Sequence, residues 1–140
     1  MESKKKLAIL LQHATYENFN LAATLAATQA ALAGEVHIFL AHEALFFYVR
    51  GDMEKMPSGF ESTEYRHIYE KLRRKEETEK ISNPVSLLNQ AKSLGPVHIY
   101  GCSETAKLLK ISPDETKKLQ ALIGYSTFLN LASDAQFIVI

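Results

Sequence analysis

Four short, almost continuous apolar runs constrain this chain more than any other feature of its sequence. They span residues 7–11, 36–40, 97–100 and 137–140. Apart from His37 and His98, these runs do not alternate apolar with polar residues. Strands of this kind are buried on both faces, as in a parallel sheet covered by helices. The sequence therefore predicts an α/β fold, a three-layer α/β/α arrangement around a mainly parallel sheet of four to five strands, with the fifth near residues 121–126.

The segments between the runs carry helix signals. Residues 17–33 are rich in alanine and leucine, and Gly34 after them is expected to terminate the helix at its C′ position. Caps and prolines predict further helix starts at Asn83-Pro84 and at the capping box formed by Ser112 and Glu115. Residues 124–133 are expected to form a short helix or an irregular segment. Strands therefore alternate with helices along the chain.

Residues 51–80 depart from this alternation. They define a charged insertion or lid within a single predicted domain spanning residues 1–140. More than half of positions 61–80 are charged, but Tyr65, Ile68, Tyr69 and Leu72 fall at helical spacing and predict an amphipathic helix. Two interpretations remain open for this helix, a solvated surface element or a lid or oligomer contact beside the site.

Composition limits the classes of function. Sixteen basic residues balance sixteen acidic residues among 140, so the net charge is zero. Proteins that bind nucleic acids normally carry a basic excess that neutralises phosphates, and therefore no nucleic-acid partner is expected. A neutral chain is weakly protected against self-association, which leaves room for a homo-oligomer.

The cysteine count and the apolar runs predict the cellular compartment. A single cysteine, Cys102, excludes an intramolecular disulfide and favours a reducing environment. The apolar run of residues 7–11 is shorter than the core of about 7–15 residues that a secretory signal needs. No stretch approaches the length of a membrane span of about 20 apolar residues. We therefore expect a cytoplasmic protein with no membrane association.

Polar and reactive residues follow three of the predicted strands. Ligands of open parallel α/β sheets bind at the carboxyl ends of the strands, and that edge is expected to collect these side chains. The candidate site residues are His13 after the first strand, His42 and Glu43 after the second, and Gly101, Cys102 and Ser103 after the third.

Cys102 is the candidate nucleophile. It lies between a predicted strand and a predicted helix, where the positive end of the helix dipole and unpaired N–H groups favour a thiolate. Gly101 permits a close approach or a sharp turn of the backbone. An imidazolium from His13 or His42 would favour the thiolate further. The alternative is that Cys102 is a small buried apolar residue, as most free cysteines are.

Metal and cofactor sites receive little support from the sequence. His37 and His98 lie inside apolar strands and are expected in the core or at a subunit interface. A zinc site of His13, His42 and Cys102 has acceptable ligands but lacks tight spacing, so no metal is predicted. Residues 12–20 contain no glycine, which argues against a dinucleotide or triphosphate cradle, and no cofactor is predicted.

The C-terminal half carries an ordered series of elements. A helix of residues 87–94 leads to the strand that ends at Gly101-Cys102, and a small helix follows. A capped helix at residues 111–122, a segment at residues 124–129 and a final apolar strand complete the series. This half of the chain resembles that of DsrE/DsrF-like proteins. The alanine-rich first helix and the aromatic second strand fit as well, whereas residues 51–80 fall outside it.

This resemblance implies a DsrE/DsrF-like fold that assembles as homotrimers or homohexamers. It also implies a sulfur-relay role, with a persulfide on Cys102 and with sulfur donor and acceptor proteins as partners. The first functional hypothesis is therefore a cytoplasmic sulfur carrier or sulfurtransferase, in which His13 and His42 orient or protonate the incoming sulfur species. The alternative is a non-catalytic oligomeric binding or scaffold protein in which Cys102 only packs. A small-molecule pocket at the same edge is a third, weaker possibility.

Overall fold

The computed structural model describes residues 5–50, 63–79 and 84–140. Two predictions fall on residues that the structure does not describe. They are the part of the insertion that spans residues 51–62 and the helix cap at Asn83. The described elements are β1 (Lys6–Leu11), α1 (Tyr16–Ala31), β2 (Glu35–Leu40), α2 (His42–Val49), α3 (Thr63–Glu79), α4 (Pro84–Leu94), β3 (Val97–Cys102), α5 (Ser103–Leu109), a 3₁₀ helix (Glu115–Lys118), β4 (Ala121–Ile123), α6 (Tyr125–Leu131) and β5 (Gln136–Val139).

The strands form one parallel sheet in the order β4-β3-β2-β1-β5. The predicted α/β fold with helices on both sides of a mainly parallel sheet is confirmed. The additional strand predicted near residues 121–126 is β4, and it spans only residues 121–123. Because successive side chains of a strand point to opposite faces, each strand contributes to two cores.

The first face of the sheet carries the larger core. Alternate residues of β1 and β2 point to it, and α1 and α4 cover them. Helices α2 and α5 add Ala44, Leu45 and Ala106 to the same core. The many alanines of α1 let this helix lie close to the sheet, and six of its residues, among them Ala22, Ala23 and Ala26, are buried.

The second face is covered by α6 and carries a smaller core. Phe128 of α6 stacks on Phe39 of β2 with ring centroids 4.7 Å apart. Tyr100 and Cys102 of β3 belong to the same cluster. Cys102 therefore lies between the sheet and α6, on the face opposite to α1 and α4.

The end of α1 differs from the prediction. Ala33, and not Gly34, takes the left-handed backbone conformation, with φ 61°. The N–H groups of Ala33 and Gly34 donate to the carbonyl oxygens of Ala30 and Gln29, at 3.0 and 2.9 Å. This pair of bonds is a Schellman motif with Ala33 at C′ and Gly34 one residue later. The sequence analysis placed the C′ position one residue too late, because glycine is the residue usually found there.

Replacing Ala33 by glycine is expected to stabilise the fold. A side chain in the left-handed region costs about 1–2 kcal/mol, and glycine avoids this cost at the expense of some chain entropy. We expect the free energy of unfolding of Ala33→Gly to rise by about 1 kcal/mol, measured by urea denaturation. As a matched control, Ala31→Gly in the last turn of the helix should lower it. A destabilised Ala33→Gly would contradict the cap assignment.

The predicted capping box forms, but a full helix does not follow it. The N–H of Ser112 donates to Glu115 Oε1 at 3.0 Å, and the N–H of Glu115 lies 3.4 Å from Ser112 Oγ. The element that follows is a 3₁₀ helix of four residues, shorter than the helix of residues 111–122 that the resemblance implied. The guanidinium of Arg50, at the end of α2, also binds both carboxylate oxygens of Glu115 and the carbonyl of Lys110.

The pH dependence of folding is expected to report the ion pair of Arg50 and Glu115. Arg50 first, and the backbone of Ser112 next, lower the pKa of Glu115 from 4.5 to about 2. Because the folded pKa lies below the unfolded value, the stabilisation is present above pH 4.5 and is lost as the pH falls toward 2. In urea unfolding across this window, the deficit of Arg50→Gln relative to the wild type should be largest at the upper limit and shrink toward the lower, where the bond to the Lys110 carbonyl still distinguishes the two proteins. Lys117→Gln, which removes only an exposed contact with Asp114, should follow the wild-type profile. A pH-independent difference for Arg50→Gln would contradict this assignment.

The predicted amphipathic helix corresponds to α3. Two residues of its apolar stripe, Ile68 and Leu72, are exposed. Whether α3 acts as a solvated surface or as a lid or contact element stays a prediction. None of the helices in the described ranges combines the length and the apolar character that a membrane span requires.

Candidate functional site

Cys102 is the last residue of β3 and immediately precedes α5. The sequence analysis placed Gly101 and Cys102 after the strand, whereas the structure extends β3 through both residues. Its side chain is 0% exposed, packed in the small core with Ala41, Phe128 and Tyr100. Reactive cysteines are usually partly exposed, so a reagent reaches this sulfur only after α6 or its neighbours move.

Tyr125, the first residue of α6, lies beside the thiol. Its ring packs edge-on against Phe39, with ring centroids 5.2 Å apart. Burial of the phenol raises the pKa of Tyr125, and its proximity to Cys102 and Glu104 raises it further. The phenol therefore keeps its proton beside the sulfur at neutral pH. Tyr125 is itself 42% exposed, so it forms the boundary between Cys102 and solvent.

His13 and Glu43 are brought together at the carboxyl ends of β1 and β2. His13 Nδ1 lies 3.7 Å from Glu43 Oε1. The same oxygen accepts a hydrogen bond from the N–H of Ala14 at 3.1 Å. Both side chains are more than half exposed. The carboxylate thus ties the loop after β1 to the start of α2 and holds an exposed imidazole at this edge.

His42 is anchored by its backbone, and its side chain is exposed. Its N–H donates to Thr105 Oγ1 at 3.2 Å, which joins the start of α2 to α5. His42 has a left-handed backbone with φ 52°, an uncommon and strained conformation for this residue type. Ser103, half-buried, opens α5 beside Gly124. Within the described part of the chain, neither His13 nor His42 is hydrogen-bonded to Cys102.

Sequence reasoning missed two residues of this edge: Tyr125, which lies beside the thiol, and Thr105, which accepts a hydrogen bond from the N–H of His42. The signal for Tyr125 was present, because it follows the short strand β4 and strands of a parallel sheet end at the same edge. The signal for Thr105 was weaker, since it lies inside a helix rather than after a strand.

Gly101 is required by packing on the first face of the sheet. A Cβ at this position would lie 2.8 Å from Leu119, 2.9 Å from Leu122 and 3.0 Å from Leu45. The predicted close approach is therefore real, although leucine side chains rather than a ligand make it. The absent side chain lets β3 present Cys102 to one face while three leucines fill the other.

Gly101→Ala is expected to destabilise the protein by about 1–3 kcal/mol, because three leucine side chains must move to admit one methyl group. Urea unfolding monitored by circular dichroism measures this loss. Gly124→Ala is the matched control, since its Cβ would meet nothing closer than Ser103 Oγ at 3.8 Å. Equal stabilities for the two variants would show that the leucines rearrange freely.

Comparisons with known proteins bear on the fold of this chain. No family model matches the chain, and no curated protein matches its sequence. Among solved structures, the chain is similar to the YchN protein of E. coli, with a TM-score of 0.58, 14% sequence identity and 98% of each chain covered. At this level of identity, the likeness shows a shared fold alone.

Proposed function

We propose that this chain is a DsrE/DsrF-like sulfur carrier that holds sulfane sulfur as a persulfide on Cys102. The proximity of the protonated Tyr125 phenol to Cys102, at the end of β3 and the start of α6, is the observation that carries the proposal. A phenol that keeps its proton stabilises a sulfur anion next to it, and charge-assisted hydrogen bonds are stronger than neutral ones. The position of Cys102 at the carboxyl edge of the sheet, where α/β proteins bind ligands, supports the same function.

The chemistry needs no second cysteine. The Cys102 thiolate attacks the outer sulfur of a donor such as thiosulfate, a new S–S bond forms, and the donor's own S–S bond breaks. The bonding pair leaves with sulfite, and the product is a Cys102 persulfide anion, so charge and electrons balance. An acceptor nucleophile later takes the outer sulfur and returns the thiolate. Tyr125 donates a hydrogen bond to the sulfur anion throughout.

Access to the thiol is controlled by α6 in this proposal. The helix has seven residues, and Tyr125 at its start shields a sulfur that is fully buried. A local opening of this short element admits the donor, and its closure protects the persulfide from water and reductants. Short elements with exposed backbone open more easily than the core of a fold.

His13 and His42 are proposed to receive the donor at the rim of the site. Both imidazoles are exposed at the same sheet edge as Cys102, and His13 is oriented by Glu43. A protonated imidazole attracts an anionic sulfur compound and supplies a proton to the departing group. Ser103 is proposed to line the same approach.

The test is direct loading of the wild-type chain. The protein is incubated with thiosulfate or polysulfide, and its intact mass is measured before and after treatment with dithiothreitol. We expect a gain of one sulfur atom that the reductant removes. In parallel, the rate of alkylation by iodoacetamide is measured against pH. Absence of a sulfur adduct, together with alkylation that occurs only on global unfolding, would overturn the proposal.

A second candidate function is a non-catalytic oligomeric binding or scaffold protein of the same fold. The complete burial of Cys102 among apolar side chains is the observation that favours it. This function predicts a thiol that gains no sulfur and a Cys102→Ala variant that loses stability only. Under either function we propose that the chain assembles as a homotrimer or homohexamer, as the resemblance implies. Light scattering during size-exclusion chromatography measures the subunit number.

A further inference from the structure

Two histidines and a glutamate meet on the second face of the sheet, away from the thiol along the strands. His37 of β2 and His98 of β3 are paired in register, and their rings stack with centroids 4.9 Å apart. Glu35 precedes His37 by two residues and therefore points to the same face. One ligand atom from each of these three residues lies within 4.8 Å of the other two.

Each histidine has a partner that fixes one ring nitrogen. His98 Nδ1 lies 2.6 Å from Gln120 Oε1, an acceptor, so this nitrogen carries the proton and Nε2 keeps its lone pair. His37 Nδ1 lies 3.0 Å from the Tyr100 hydroxyl, and His37 Nε2 lies 2.6 Å from Glu35 Oε1. Metal-binding histidines are oriented in this way by a hydrogen bond at the nitrogen that does not bind the ion.

We propose that Glu35, His37 and His98 form a binding site for a divalent transition-metal ion of the zinc type. Two imidazoles and one carboxylate are a ligand set that zinc uses in proteins, with water at the fourth position. Imidazole-rich sets disfavour magnesium and calcium, which take oxygen ligands. The site is independent of the proposed sulfur chemistry, since neither Cys102 nor Tyr125 contributes to it.

The observed spacing is close to what an ion needs. A tetrahedral zinc ion with bonds of about 2.0–2.2 Å separates its ligand atoms by about 3.3–3.6 Å. On binding of an ion, the distance between His37 Nε2 and Glu35 Oε1 would lengthen from 2.6 Å. The widest separation among the three ligand atoms, which is within 4.8 Å, would shorten. Both changes are of the order that small side-chain rotations provide. The ion would replace the proton that His37 Nε2 and Glu35 share.

Burial of the three ligands fits a site with one open side. His37 is almost fully buried, and the Glu35 side chain is about one-quarter exposed. His98 is half-buried. An ion would therefore enter from the side of Glu35 and His98 and retain a water molecule there. His37 and Tyr100 would hold the inner wall.

The test is zinc binding by the full chain after removal of metals with a chelator. Isothermal titration should show one zinc ion per chain for the wild type and for Cys102→Ser. His98→Gln and Glu35→Gln should bind at least about 100-fold more weakly, because each loses a ligand rather than an outer partner. Gln120→Ala, which removes only the partner of His98, should lose about 10–100-fold. Zinc should raise the melting temperature of the wild type but not of the ligand variants.

The control for nonspecific binding is His67→Gln, an exposed histidine on α3, which should bind like the wild type. Far-UV circular dichroism establishes that each variant is folded. Three results would overturn the proposal: no zinc binding by the wild type, unchanged affinity in His98→Gln, or loss of binding in Cys102→Ser. The last result would place the ion at the thiol. Since sulfur loading is measured separately, its failure leaves this test unaffected.

Discussion

Cys102→Ser is expected to abolish sulfur loading completely while the chain stays folded. The chain contains a single cysteine, and a serine hydroxyl neither becomes an anion at neutral pH nor attacks sulfane sulfur. The intact mass of the variant after incubation with thiosulfate or polysulfide should therefore remain unchanged. The wild type, treated in parallel with the same reagent, should gain one sulfur atom that dithiothreitol removes.

The fold of Cys102→Ser should survive because serine is similar in size to cysteine and fits the same buried position. Burying a hydroxyl in place of a thiol costs about 1–3 kcal/mol, less than the total stability of an ordinary domain. Ser93→Ala is the control, since it removes an exposed hydroxyl on α4, on the other side of the sheet from the thiol, and it should load sulfur. Loading that persists in Cys102→Ser would place the chemistry elsewhere and end the carrier proposal. Loading absent from both the variant and the wild type would favour the scaffold function.

The strands were predictable because the pattern of apolar residues indicates that they are buried. Continuous apolar runs at residues 7–11 and 36–40 have no polar face to expose, and only a sheet covered on both sides satisfies them. The short strand β4 was harder to place, since Ala121 and Leu122 are exposed and give little pattern.

The helix after the capping box was overestimated for a physical reason. Ser112 and Glu115 make the predicted reciprocal contacts, but these contacts fix only the first turn. The chain must return to the sheet by Ala121, and Glu115 is held by Arg50 of another element. A local motif carries no information about these tertiary constraints. The helix predicted from the sequence was therefore longer than the fold permits.

The sequence predicted which edge of the sheet carries the candidate site, but not which side chains are in contact there. The sequence placed His13, Glu43 and Cys102 at strand ends, and the structure pairs the first two. That Cys102 lies beneath α6, in contact with Tyr125, depends on which face of β3 it occupies. A one-residue change of register would reverse this face, and a single sequence does not specify the register.

The same limit applies to the two strand histidines. The expectation of a core or interface histidine fits His37, which is buried and hydrogen-bonded on both ring nitrogens. His98 is less buried and stacks on it. Their juxtaposition arises from the pairing of β2 with β3, which separates them by 61 positions along the chain but places them side by side in space.

Phe128→Ala is expected to cause the largest loss of stability among the substitutions considered for this fold. Phe128 is 1% exposed and stacks on Phe39 at 4.7 Å, with Phe137 of the edge strand at 5.8 Å. Truncation of a buried phenylalanine costs about 3–5 kcal/mol, from lost burial and from the cavity left behind. Urea unfolding should show this decrease. Leu129→Ala is the control on the same helix, since Leu129 is 58% exposed, and it should change stability by no more than about 0.5 kcal/mol.

The same variant also tests how Cys102 is reached. Phe128 holds α6 against the sheet and packs in the cluster that buries the thiol. If alkylation proceeds through a local opening of α6, a loss of about 3 kcal/mol in that contact raises the open population, and with it the alkylation rate, by about a hundredfold. Iodoacetamide labelling of Phe128→Ala and Leu129→Ala under native conditions measures this directly. Because the substitution also raises the globally unfolded population, the urea dependence of the rate is decisive: a dependence as steep as that of global unfolding would mean that α6 does not open by itself. In that case Cys102 would be a packing residue, because a carrier must expose its sulfur without losing its fold.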